Sequence, residues 1–351
     1  MPLINKADLT TAGEALFKAA GASEHEAGTV TRHLVGANLV GHESHGVIQI
    51  PTYVERMAKG HIVPRAPMKV IRESATTAVI DGHWGFGYTT SEYAMEKTID
   101  KALGSGGVAA CTVLRQGHVG RVADYPMMAA KAGCIGLMTA DSGRSPKAVA
   151  PFGGRVPRLG TNPICIAVPS NLSGTFVLDM ATSAAAAGKL KVARAKGEPV
   201  PSGWLVDENG APSTDPSAVA RGGALLPLGG AEGFKGYGLA AMVEILSGIL
   251  PGLGFGVDPD GFHNDGVFMA AFAVEAFLPL EQFKQQVTQF AEYLTATPPA
   301  QGFERVYYPG ELEYMREQQR TGEGIPLDDG TWKALGQLAD ELGVAEVWPG
   351  S

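Results

Sequence analysis

The sequence predicts a mixed α/β chain of the α+β type, with helices gathered at both ends and strands between them. Three observations predict it. Apolar residues at helical spacing fill the first sixty residues and return after about residue 280. Short apolar runs, bounded by turn residues, alternate with helical stretches from about residue 66 to residue 195. No Gly-x-Gly-x-x-Gly stands between a strand and a helix, so the Rossmann arrangement is absent.

Each element follows from its pattern. Leu9, Ala12, Leu16 and Ala19 define a first helix that Gly21 stops. Ser23 and Glu26 have the spacing of a capping box, and Ala27, Val30, Leu34 and Ala37 continue the stripe toward Gly41. Strands are expected at Met68–Ile71, Ala78–Ile80, Val108–Leu114, Ile135–Met138, Ile164–Val168 and Phe176–Leu178. Helices are expected at Glu92–Leu103, Val122–Ala132, Thr182–Ala195, Leu280–Thr295, Glu311–Arg320 and Asp329–Leu342. The Pro-rich stretch 296–302 breaks the tail, and the pattern leaves strand order open. Two units are expected: a mainly helical one from 1–75 with 280–351, and an α/β one from 76–279.

Composition bounds the function. The 351 residues are 45% hydrophobic and 18% charged, with a net charge of -8. No basic run compensates for that acidity, which argues against nucleic acid. A small anion remains compatible, because one local cation outweighs a diffuse surface charge. Cys111, Cys134 and Cys165 are odd in number and sit in or beside apolar runs, so buried thiols are expected and a disulfide framework is not. Apolar segments are interrupted well before the roughly 20 residues of a membrane span, and no targeting segment is read, so a soluble cytoplasmic protein is expected.

Two histidines between small residues carry the chemistry. Imidazole is the side chain suited to moving a proton near neutral pH. His45 lies in Gly-His-Glu-Ser-His-Gly, at or just beyond the end of the second helix. His42 and His45 are three apart, not the four of a zinc-protease helix, and no third ligand is evident, so no metal is expected. His118 lies in Gly-His-Val-Gly, on a strand-to-helix turn where a rigid scaffold meets an open loop. Helix capping and turn bonding compete with catalysis for both rings. Arg121 in the first helical turn opposes the helix dipole, which favours an external anion. Asp179-Met180-Ala181-Thr182-Ser183 ends a strand, where Asp suits ribose hydroxyls and Thr and Ser suit helix capping or phosphate. Gly233-Phe-Lys-Gly-Tyr-Gly238 opens a helix with Lys235 beside free amides, which suits a phosphate or carboxylate, though the order is not Walker A. No Gly-x-Ser-x-Gly supports a hydrolase, so Ser44 reads as a positioning hydroxyl.

In this order, Gly-His-Glu-Ser-His-Gly, Gly-His-Val-Gly, Ala-Pro-Phe-Gly-Gly, Leu-Gly-Thr-Asn-Pro, Asp-Met-Ala-Thr-Ser, Phe-Lys-Gly-Tyr-Gly-Leu-Ala and Gly-Ile-Pro-Leu resemble the malate/L-lactate dehydrogenase family. The resemblance covers essentially the whole chain and is nearest to the hydroxycarboxylate dehydrogenase subgroup. It implies a homodimer with a mostly antiparallel cofactor-binding sheet flanked by helices. It implies hydride transfer between NAD or NADP and C2 of a 2-oxo or 2-hydroxy carboxylate. Cyclic imine carboxylate reduction and ureidoglycolate oxidation are the alternatives within the family.

His45 and His118 match the family's proton-transfer positions. Ser142, Thr161, Asp179, Met180, Ala181, Thr182, Lys235, Gly310 and Glu311 fall at or near its cofactor-contacting segments. Gln49 stands where many members have an arginine for the substrate carboxylate, and Arg121, in the subgroup's His-x-Gly-Arg pattern, is expected to take that role.

Overall fold

The computed structural model describes residues 2–104, 106–141, 147–257 and 266–348; Ser142 lies outside the described residues. Strand β1 (Leu3–Ile4) leads into helices α1 (Lys6–Ala19), α2 (Glu24–Leu39) and α3 (Ile50–Ala58). The Ser23–Glu26 capping box is formed, with Ser23 N donating to Glu26 Oε2 at 2.8 Å and Glu26 N donating to Ser23 Oγ at 3.3 Å.

Next come β2 (Lys69–Glu73), β3 (Thr77–Gly85), α4 (Gly87–Gly104), β4 (Val108–Gln116), α5 (Asp124–Lys131), β5 (Cys134–Asp141), β6 (Ile164–Val168) and β7 (Phe176–Met180). After these come α6 (Ala187–Lys196) and three short strands, β8 (Leu205–Val206), β9 (Pro212–Ser213) and β10 (Ala224–Leu225). Helix α7 (Phe234–Glu244) continues through a π-helical turn at Ile245–Ile249. The chain then runs through β11 (Gly266–Ala273), α8 (Leu280–Thr295), α9 (Glu311–Glu323), β12 (Ile325–Pro326) and α10 (Asp329–Glu341).

The main sheet has the order β2-β3-β4-β11-β5-β6-β7. Only β3 and β4 run parallel; every other neighbouring pair is antiparallel. The sequence leaves β11 unassigned, yet it lies at the sheet's centre between β4 and β5. Its run Gly-Val-Phe-Met-Ala-Ala-Phe-Ala is buried or half-buried throughout, so it has no polar-apolar alternation to announce it.

Helix α6 also starts later than its Ala-rich pattern suggests, because Thr182 N is bonded to Thr161 O at 2.9 Å and the residues after it are not helical.

Two cores result. One joins α4 and α5 to the sheet, through Ile80, Met95, Val113, Met138, Val267 and others. The other joins α1–α3 to the tail, with Leu9, Leu16, Val30, Leu34, Tyr53 and Leu335 in one cluster. The antiparallel pair β1 and β12 ties the two chain ends together. Cys111, Cys134 and Cys165 are buried free thiols. Among the described residues, no helix is long and apolar enough to cross a membrane.

Candidate active site

Helix α2 ends at Leu39, and Gly41, at φ +86°, turns the chain away from the helix axis. Asn38, itself 2% exposed, anchors the far side of the turn, where its Oδ1 accepts Val47 N at 2.8 Å. A Cβ at Gly46 would meet that oxygen at 2.2 Å, so only glycine lets the loop close this tightly. The turn between these anchors is a single 3₁₀ turn, Glu43–His45, and it carries Ser44 and His45. Ser44 Oγ lies 3.0 Å from His45 Nδ1, and Gln49 Nε2 donates to Ser44 O at 2.7 Å. Gln49 therefore braces the turn from below.

His118 approaches from the loop after β4. Its ring stacks on that of His45, with centroids 5.7 Å apart and planes 21° from parallel. The two motifs, 73 positions apart in the sequence, thus meet as one imidazole pair. Tyr53 Oη lies 2.6 Å from His118 Nδ1 and 3.1 Å from Tyr88 Oη. That contact occupies Nδ1 of His118. Burial, with the charge of Arg56 adding to it, pulls the His118 pKa down to about 4. The ring is neutral near pH 7.

The segments expected to hold a cofactor fall into two groups. Thr182 N and Oγ1 donate to Thr161 O, at 2.9 and 3.2 Å, and Oγ1 also donates to Asn162 O at 2.9 Å. Thr182 is fully buried, so it latches the Asp179–Ala181 strand end to the Thr161 turn. Leu228 N donates to Thr182 O, and Gly236 packs so closely on Leu228 that a Cβ would meet its carbonyl at 2.2 Å. These contacts bring the first turn of α7, with Lys235 exposed beside Glu232, up to the same strand end. The start of α6 packs on the turn that carries His45, where a Cβ at Gly188 would meet Ser44 Cβ at 3.2 Å.

On the other side, Val177 N donates to Pro309 O at 3.0 Å, which seats Gly310 and Glu311 against β7. Gly310 is at φ +93°, and a Cβ there would strike Thr175 O at 2.5 Å. The Glu311 carboxylate caps its own turn, accepting Tyr308 N at 3.1 Å, and pairs with Arg305. Gly310 and Val177 line a cleft of about 880 Å³ between α2 and the edge of the sheet, together with Arg121, Asp124, His33 and Glu313. That volume suits a ligand of cofactor size. Neither His45 nor His118 lines this cleft.

Among the cations that line it, with Lys6 and Arg32, is Arg121. The residue is 7% exposed, its NH1 lies 3.4 Å from Asp124 Oδ1, its NH2 points at Met127 Sδ, and its buried Nε has no hydrogen-bond partner. Asp179 accepts Ala123 N at 3.2 Å. Burial pushes the Asp179 carboxyl up despite the nearby charges of Arg121 and His42. An incompletely satisfied guanidinium beside a strand end with a carboxylate fits a nicotinamide cofactor and an anionic substrate.

Three polar groups escaped the sequence reading. His33 bridges Asp124 and Glu92 at 2.8 Å each, although it sits in an apolar helical stripe that reads as core. Tyr53 and Tyr88 form the relay behind His118. Lys147 is buried between Asp141 and Glu244, 2.9 Å from each, with Asn162 also on Glu244 at 3.0 Å. A polar residue inside an apolar stripe was the available signal for His33 and Tyr53.

The family model described as malate/L-lactate dehydrogenase matches residues 4–336. The chain is 36% identical over 343 residues to hydroxycarboxylate dehydrogenase B of Escherichia coli (strain K12), covering 95% of this chain and 92% of that protein. Its structure is similar to that of sulfolactate dehydrogenase from Methanocaldococcus jannaschii, with TM-score 0.90, 34% identity and 99% of each chain covered. It is also similar to delta1-piperideine-2-carboxylate reductase from Pseudomonas syringae pvar. tomato, with TM-score 0.84, 28% identity, and 97% and 100% covered. With its mostly antiparallel sheet and its paired histidines, the chain belongs to the malate/L-lactate dehydrogenase family.

Proposed function

We propose that this oxidoreductase transfers a hydride between NADH or NADPH and C2 of a 2-oxo or 2-hydroxy carboxylate, with a histidine exchanging the proton of the substrate oxygen. The stacked His45–His118 pair carries the reading: proton exchange and substrate orientation call for two groups close together, and these two imidazoles have their centroids 5.7 Å apart. The nicotinamide, when bound, supplies or accepts the hydride; the chain supplies everything else.

His118, neutral and fixed through Nδ1 by Tyr53, directs Nε2 at the substrate oxygen and holds its orientation. A ring with a pKa near 4 holds almost no proton at pH 7, so the exchange falls to His45, which is partly exposed and has Ser44 at its Nδ1. Arg121, three positions after His118 on the same segment between β4 and α5, holds the substrate carboxylate, and its unpartnered Nε and long ion pair to Asp124 support that role. Asp179, Met180, Ala181, Lys235 and Gly310 hold the cofactor, while Thr161, Thr182 and Glu311 fix the turns that present it.

The protein acts as a homodimer in this reading. Support comes from Met242, Ile245, Ile249 and Leu250, which lie 43–57% exposed along α7 and its π-helical turn.

Nicotinamide absorbance, followed with NADH and NADPH separately against 2-oxo acids, ureidoglycolate with the oxidised cofactors, and cyclic imine carboxylates, tests the activity. Turnover of an oxo or hydroxy acid is expected. Turnover of cyclic imines alone would move the reaction to C=N reduction, and a flat trace throughout would overturn the reading.

A further inference from the structure

Helix α2 carries a histidine that bonds to two carboxylates at once. His33 Nδ1 lies 2.8 Å from Asp124 Oδ2 on α5, and Nε2 lies 2.8 Å from Glu92 Oε1 on α4. Ionised carboxylates only accept, so with both charged each ring nitrogen donates, and the two bonds favour the imidazolium form. Tyr125 stacks on it at 5.4 Å and Tyr88 lies tilted at 5.2 Å, which holds the ring in its plane. Arg32 takes up the other side of Glu92 at 2.7 and 2.9 Å. The result is an alternating row of charges, Arg32–Glu92–His33–Asp124–Arg121, along the wall of the cleft.

The row ends unevenly. Asp124 gives its short bond to His33 and only a 3.4 Å contact to Arg121. Arg121 has five donor hydrogens, but its ion pair to Asp124 is a single 3.4 Å contact from NH1, NH2 points at Met127 Sδ, and its buried Nε has no hydrogen-bond partner among the described residues. We propose that His33 is a positioning residue for anion binding: by occupying Asp124, it keeps that carboxylate from neutralising Arg121 and leaves the guanidinium available to a carboxylate ligand. This rests on the assignment of Arg121 to the substrate carboxylate.

Without His33, Asp124 would turn its full charge on Arg121, close the 3.4 Å gap and compete with the ligand. A charge-assisted bond contributes about 1.5–3 kcal/mol, equivalent to a ten- to hundredfold change in affinity. The consequence is specific: the defect made by losing His33 is cured by also removing the charge of Asp124. A merely structural role predicts the opposite, since a second buried substitution adds to the damage.

The test uses oxalate, an unreactive 2-oxo acid mimic, titrated calorimetrically into the full-length protein with NADH present. His33→Gln is expected to weaken oxalate about tenfold, and His33→Gln with Asp124→Asn to recover affinity to within about threefold. NADH affinity and thermal melting serve as folding controls. Arg121→Ala separates the two ideas. If it leaves oxalate affinity unchanged, or the unaltered protein does not bind oxalate, the Arg121 assignment fails and the proposal fails with it. If Arg121→Ala weakens binding but His33→Gln does not, or the double variant is worse than the single, only the positioning role is overturned.

Should His33→Gln not fold, the pH dependence of the unaltered protein decides. The groups facing His33 are Glu92 and Tyr88 from α4, Asp124 and Tyr125 from α5, and Arg32 beside it, with Arg121 beyond Asp124. Oxalate affinity should fall as the pH rises through the elevated pKa of His33, and that fall should vanish in Asp124→Asn. A fall that persists in Asp124→Asn, or no fall at all, overturns the proposal.

Discussion

The hydroxyl of Tyr53 lies 2.6 Å from Nδ1 of His118, and this contact joins α3 of the helical core to the loop after β4. Tyr53 is 1% exposed and its hydroxyl also meets Tyr88 at 3.1 Å, so the bond is shielded from water on both sides. Tyr53→Phe leaves a buried imidazole nitrogen without its partner, at a cost of about 1–3 kcal/mol in stability. The ring of His118 is then free to turn, so kcat should fall about tenfold or more while NAD(P)H affinity stays within about twofold. Steady-state kinetics with a fluorescence titration of the reduced cofactor checks both.

The division of labour between the histidines predicts different defects. If His45 exchanges the proton as proposed, His45→Ala should lower kcat by about 10²–10⁴. His118→Asn keeps a polar group near the site but loses the fixed Nε2, so it should raise KM and lower kcat less severely. Equal losses of kcat in the two variants would contradict the assignment of roles.

Helix boundaries were legible wherever local chemistry sets them. The Ser23–Glu26 box and the span Leu280–Thr295 are satisfied by neighbours a few residues away, so the sequence announces them. His45 at the end of α2 followed from the same stripe. Strand β11 was illegible because its partners, β4 and β5, lie over a hundred residues upstream and both of its faces are buried. The sequence could nominate Thr182 for a ligand, but only the fold shows its hydroxyl donating to Thr161 and Asn162. His33 looked like core because its partners, Glu92 and Asp124, come from two other helices.

Two buried histidines make stability depend on pH in opposite senses. For His118 the folded pKa is lowered, from 6.5 to about 4. The unfolded chain therefore binds the extra proton between those values, and stability should fall as the pH drops from about 6.5 toward 4. For His33, burial opposes the charge but the bonds to Asp124 and Glu92 outweigh it, and the folded pKa is raised above 6.5. Its contribution is complete below 6.5 and is lost as the pH rises through the folded value. Melting temperatures should peak between the two windows. His118→Gln should flatten the acid side and His33→Gln the alkaline side, which differential scanning calorimetry across about pH 4–9 can resolve.

Gly46 tests how tightly the catalytic turn is built. Its φ of -90° is open to any residue, so conformational freedom is not the reason for glycine there. The reason is space: a Cβ would sit 2.2 Å from Asn38 Oδ1, the atom that accepts Val47 N. Gly46→Ala must displace Asn38, break that buried bond and shift the turn carrying His45. The expected loss is about 1–3 kcal/mol of stability together with a lower kcat.

Met242, Ile245 and Ile249 recur at helical spacing on an exposed face, each 43% exposed or more. Single exposed apolar residues are ordinary, but a contiguous stripe on α7 is the surface that a second copy would cover in the proposed homodimer. A charge placed in such an interface must be desolvated without a partner, which costs several kcal/mol. Ile249→Lys should therefore shift the protein from dimer to monomer in sedimentation equilibrium, while a control outside the stripe at the end of α3, Lys59→Glu, should not. Because α7 also carries Lys235 and is tied through Leu228 to Thr182, the monomer should bind NAD(P)H more weakly than the dimer. An unaltered protein that sediments as a monomer would remove the dimer from the proposed function and leave the hydride chemistry standing.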